Sequence, residues 1–167
     1  MPLPTIVTPT YELELPSTGK KVKYRPFLVK EEKLLVLALE TEDTKDISTA
    51  IKTVLKNCIQ TRGVKVENLP TFDIEFLFLN IRGKSVGEEV EVNLIAPDDE
   101  ETQVPVTISI DDIKIQKSKE HNSKVKLDDT LMMEMKYPSL DQFIQSNFDF
   151  GEEVSMDQSF DLISSCI

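Results

Sequence analysis

Ile47-Ser48-Thr49-Ala50-Ile51-Lys52-Thr53-Val54-Leu55-Lys56-Asn57-Cys58-Ile59 carries its apolar side chains at i, i+3, i+4, i+7, i+8, i+11 and i+12. An α-helix turns once in about 3.6 residues, so these positions line up as one apolar stripe with polar residues opposite. The spacing predicts an amphipathic helix laid on a core and stopped by Gly63. Just upstream, Glu42-Asp43-Thr44-Lys45-Asp46 is a polar break able to cap it. Before the break, Lys30–Thr41 is built of strong helix formers, with Leu34, Leu35, Ala38 and Leu39 expected on one side. Downstream, Thr71 is expected to cap a third helix. Its run Phe72, Ile74, Phe76, Leu77, Phe78, Leu79 and Ile81 is apolar on nearly every side and implies burial in the core or under a partner, with Gly83 as the stop.

The chain on either side has a period of two. Tyr11-Glu12-Leu13-Glu14-Leu15 alternates, Pro16-Ser17-Thr18-Gly19 supplies turn chemistry, and Val22 and Tyr24 alternate with lysines. Together they predict a hairpin over residues 11–25 with a basic outer face on its second strand. From Glu88, Val90, Val92 and Leu94 and then Val104, Val106, Ile108 and Ile110 alternate around an acidic turn at 97–101; Pro105 marks an edge strand or a bulge. The lysines of 113–127 are expected on the rims of two short strands. Leu131, Met133, Met135 and Tyr137 form a further alternating run, with Met133 and Met135 inward and Met132 outward. Ser139/Gln142 and Ser155/Gln158 both fit the S-x-x-Q capping box, so each opens a helix. The fold class is α+β: an N-terminal β-hairpin with three helices, then a small antiparallel β unit and C-terminal helices. The expected segments are an extended proline-rich arm at 1–9, hairpin plus helices at 10–87, the antiparallel β unit at 88–138, and C-terminal helices at 139–167.

Composition narrows the function. The net charge is −11, which repels phosphates and argues against nucleic acid as a partner. The charge is blocked: 88–112 carries −9, 113–127 carries +4 and 128–167 carries −8, a pattern suited to fixing docking register and encounter rate more than affinity. No apolar run reaches the roughly 18 residues of a membrane-spanning helix, so no membrane insertion is expected. Met1-Pro2-Leu3-Pro4-Thr5 has no basic start ahead of an apolar core, so no secretory signal is expected. Two cysteines and one histidine cannot build a disulfide framework or a structural zinc site. A reducing compartment fits.

Catalytic motifs are missing. Arg82-Gly83-Lys84-Ser85 contains G-K-S, but Phe78 stands where a phosphate-binding loop needs its first glycine. His121, beside Glu120 and near Ser118 and Ser123, could polarise a nucleophile, yet it sits in a hydrophilic connector without the strand–turn–helix setting that presents a serine. Consecutive acidic pairs such as Asp98-Asp99 and Asp111-Asp112 lack the calcium-loop spacing. Cys58 falls on the apolar stripe as a core residue; Cys166 is expected to be exposed. No cofactor and no enzyme activity are expected. A small enzyme using His121 with Ser118 or Ser123, and a generic cytoplasmic adaptor, are the competing readings.

Four separated segments carry a resemblance: residues 11–35, Val54-Leu55-Lys56-Asn57-Cys58, residues 69–87, and Met135-Lys136-Tyr137-Pro138-Ser139-Leu140. In this order they resemble the baseplate protein family of T-even-type contractile-tailed bacteriophages, closest to its hub assembly members. The resemblance implies a non-enzymatic structural or assembly protein of the tail baseplate hub. Its partners would be other baseplate hub proteins, met in the host cytoplasm, and it would stay in the virion tail or act as a transient assembly chaperone. Homo- and hetero-oligomers are both left open. The expected partner-binding residues are Leu3, Ile6 and Val7 of the arm, Phe72, Phe76 and Phe78 of the third helix, Lys117, Lys119 and Lys124 of the basic block, and Phe160 and Ile163 of the last helix. Each large apolar side chain buried there would contribute roughly 1.5–3 kcal/mol.

Overall fold

The computed structural model describes residues 7–97, 102–116, 121–145 and 155–167. Strands β1 (Tyr11–Glu14) and β2 (Lys21–Tyr24) pair antiparallel, Tyr11 opposite Tyr24 and Leu13 opposite Val22. Their turn needs a left-handed residue, and Gly19 supplies it at φ +69°. Val22 and Tyr24 point inward while Lys21 and Lys23 face solvent, as the alternation requires. The core forms where this hairpin meets the helices: Leu15, Val22, Tyr24, Val54, Leu55, Cys58, Val66, Leu69, Ile74, Leu77 and Ile81 pack as one cluster.

Helix α1 spans Val29–Glu40 and α2 spans Thr44–Cys58. Glu42 adopts φ +55° in the turn between them. Asp43 caps α2, its carboxylate accepting the Lys45 N–H at 2.7 Å. The predicted stripe is the buried face: Ala50, Val54, Leu55 and Cys58 are interior. The helix ends at Cys58 instead of running to Gly63, because Ile59 is drawn into an extended pairing with Tyr24. Arg25 N–H donates to Cys58 C=O (3.0 Å), Gln60 N–H to Lys23 C=O (2.8 Å) and Lys23 N–H to Thr61 Oγ1 (2.7 Å). A tertiary ladder on the free edge of β2 therefore outcompetes helix continuation.

Helix α3 spans Thr71–Val86. Pro70, rather than Thr71, stands at its N-cap, its carbonyl taking the Asp73 and Ile74 N–H groups. The helix runs through Gly83 and stops at Gly87, whose φ of +145° is open to glycine. Gly83 is a packing choice: a Cβ there would lie 3.3 Å from Ile110 Cδ1. Ile110 is buried at the start of a 3₁₀ turn, Ile110–Asp112, where the next ribbon returns to α3.

That ribbon is β3 (Glu89–Ile95) with β4 (Gln103–Ser109), antiparallel and in continuous register, Asn93 opposite Pro105. Both strands are edges, so Pro105 needs no bulge. Only one short strand, β5 (Lys124–Lys126), lies among the described residues of 113–127; it pairs with β6 (Met132–Glu134). Met133 and Met135 are half-buried and Met132 is exposed, while Leu131 and Tyr137, at the ends of the expected run, are exposed. Both capping boxes form. Ser139 and Gln142 bond reciprocally at the start of α4 (Leu140–Gln145), and Ser155 and Gln158 at the start of α5 (Met156–Ser165). Cys166 is buried, against expectation: its carbonyl accepts the Lys136 N–H (2.7 Å) and that of Ser165 accepts the Gln142 amide (3.1 Å), which folds the end of α5 onto α4 and the segment before it. The architecture is α+β, with three separate two-stranded antiparallel sheets and helices before and after the β ribbons.

Candidate interaction surface

Chain–helix junctions set the orientation of α1. Glu31, with a side chain only 1% exposed, holds it. One carboxylate oxygen accepts the Leu28 N–H at 2.8 Å, and the other accepts Arg25 Nη2 at 3.0 Å, with Lys30 Nζ at 3.4 Å. Burial alone would raise the Glu31 pKa; the Arg25 and Leu28 hydrogen bonds and the charges of Arg25 and Lys30 overcome it and hold the carboxyl below its ordinary value. Phe27 N–H donates to Ser85 Oγ (2.9 Å), tying the entry of α1 to the end of α3.

So anchored, α1 buries little. Glu31 is interior and Leu35 and Ala38 are half-buried, but Val36 and Leu37 are each 50% exposed, and Val29, Leu34 and Leu39 are exposed too. Of the four apolar residues expected on one side, Leu35 and Ala38 lie with Glu31 along the half-buried line, while Leu34 and Leu39 flank it and are exposed. A groove of about 400 Å³ opens beside it, lined by Phe27, Leu35, Ala38 and Leu39 from the α1 side, Ile47 and Ile51 from α2, and Phe78 and Val86 from α3. Glu32 and Arg82 are its charged lining groups. A second apolar face lies on α5, where Met156, Phe160, Ile163 and the following Ile167 fall at i, i+4, i+7 and i+11, all exposed. Exposed apolar side chains aligned along one helix, unlike scattered ones, mark interaction sites.

The sequence-expected contact residues distribute as follows. Val7 is 92% exposed. Leu3, Ile6, Lys117 and Lys119 lie outside the described residues. Phe72 is half-buried and meets Tyr137 edge-on at 4.9 Å; Phe76 is half-buried and Phe78 packs partly on the core while lining the groove. Lys124 is exposed on β5 opposite Glu134. Phe160 (64% exposed) and Ile163 share the α5 face. The solvent-facing side of α1 was missed. Its signal was present: apolar residues at 34 through 39 without a break cannot all face one core.

The chemistry-bearing side chains have structural partners. His121 Nε2 lies 2.6 Å from Tyr137 Oη, its ring stacked on that tyrosine. Burial pushes the Cys58 thiol up to about 11. Among the described residues no group of His, Cys, Asp and Glu is placed to hold a metal ion, and no helix is long and apolar enough to cross a membrane.

A family model described as T4 bacteriophage base plate protein matches residues 8–167. The chain belongs to that family. No curated protein and no solved structure matches it. The family makes it a structural or assembly protein of the phage baseplate, one that contacts other baseplate proteins and fits the tail baseplate of the virion.

Proposed function

We propose that this baseplate-family chain builds the central hub of the baseplate, joining hub proteins by non-covalent contact in the host cytoplasm with no bond made or broken. The observation that carries the reading is the apolar face of α5, where Met156, Phe160, Ile163 and the following Ile167 are left in solvent by a chain with a defined core. The four sequence segments that resemble hub assembly proteins support the hub as the place. In this reading Leu3, Ile6 and Val7 of the arm and Phe160 and Ile163 of α5 are apolar anchors. Phe72, Phe76 and Phe78 shape the wall of α3, and Lys117, Lys119 and Lys124 meet acidic partner surface.

Co-expression of the full chain with the hub proteins of the same phage, followed by size-exclusion chromatography, tests it. The expected result is co-elution with a hub protein, weakened by deleting residues 1–9 and by Phe160→Ala. Co-elution with peripheral baseplate proteins alone, or with none, would overturn the hub assignment. Immunoblotting of purified virions then separates a resident hub component from a factor that leaves after assembly.

A further inference from the structure

Val29, Lys33, Val36, Leu37 and Glu40 share the face of α1 turned away from the line of Glu31, Leu35 and Ala38. Val36 and Leu37 form its apolar centre, and Lys33 and Glu40 stand three residues to either side. The side chains of Lys33 and Glu40 have no ion-pair or hydrogen-bond partner among the described residues. We propose that this stripe joins two copies of the chain, α1 against α1 and antiparallel, about a two-fold axis passing between Val36 and Leu37.

A two-fold contact must be complementary to itself. About this axis Val36 meets the second copy's Leu37, and Lys33 meets the second copy's Glu40, twice over by symmetry. A parallel pairing would set lysine beside lysine and glutamate beside glutamate, so the charge order selects the antiparallel direction. The helix has 12 residues, about 18 Å of length, which gives a small interface and a concentration-dependent monomer–dimer equilibrium.

Sedimentation velocity of the full chain alone, over a wide concentration range, tests the proposal. The expected result is reversible dimerisation. Lys33→Glu, which sets carboxylates opposite Glu40, and Glu40→Lys, which sets ammonium groups opposite Lys33, each weaken the dimer by about tenfold or more. The double charge swap restores it, because the pair is re-formed in reverse. Circular-dichroism melting confirms that each variant is folded. A chain monomeric throughout, single variants that dimerise like the wild type, or a double variant no better than the singles overturns the proposal. A monomeric wild type whose α1 face instead captures a baseplate protein also overturns it. The dimer does not depend on the hub reading: self-association without hub binding would sink that reading and leave this one standing.

Discussion

Glu31→Gln isolates the interaction that holds the exposed helix α1 to the hairpin. The glutamine can still accept the Leu28 N–H through its carbonyl oxygen. Its amide nitrogen then faces Arg25 Nη2, so a charge-assisted bond of 3.0 Å becomes two opposed donors. Hydrogen bonds to charged groups contribute about 1.5–3 kcal/mol, and breaking a buried pair costs about 3–5 kcal/mol. Arg25 is 14% exposed and keeps its bond to the Pro26 carbonyl at 2.8 Å, which softens the loss; about 2–3 kcal/mol is expected. For a chain of this size that lowers Tm by about 4–12 °C. Urea titrations of wild type and variant at several pH values provide the assay. Because the folded Glu31 carboxyl titrates below its ordinary value of 4.5, its contribution is complete above that value and is lost as pH falls through the folded pKa. Glutamine does not titrate. The gap between the two proteins should therefore be widest near neutrality and narrow under acid. A neutral-pH gap below about 0.5 kcal/mol, or one that does not shrink in acid, refutes the assignment of Glu31 as a charged anchor.

Two further outcomes follow from buried groups. Asp73→Ala removes a buried carboxylate that accepts both the Ser17 N–H, at 3.0 Å, and the Ser17 hydroxyl; a loss of about 2–3 kcal/mol in chemical unfolding is expected, with Ser17→Ala costing less because the backbone bond survives. Cys58 and Cys166 are both buried, and the Cys58 thiol titrates near 11, so at pH 8 a thiol reagent should react with neither in the native protein and with both in denaturant; fast native labelling of either contradicts the structure.

What the sequence made legible was whatever local chemistry decides. The α2 stripe, the 11–25 hairpin, the strands β3 and β4 and both serine–glutamine caps depend on residues a few places apart, and all form, though Leu94, Val104 and Ile108 of the β3–β4 alternation stay exposed. What it hid was settled by distant contacts. Gly83 reads as a stop until Ile110 arrives beside it, and α2 reads as continuing until Ile59 is claimed by Tyr24. Cys166 reads as a frayed end until Lys136 and Gln142 bind its neighbourhood. Exposure was legible only in part: the apolar row of α5 follows from its spacing, but a periodic pattern names one side of a helix and does not tell how much of α1, leucine-rich nearly all round, the core covers.

The edge of β2 is closed by the chain that follows α2, and its turn is clamped by Asp73 still further on. The earliest strand pair thus keeps an open edge until Cys58–Thr61 have been synthesised, and an unclamped turn until Asp73 follows. A ribosome pausing within α2 would present a half-finished ribbon to whatever strand drifts past. Slower translation across that stretch is therefore expected to lower the yield of correctly paired chain.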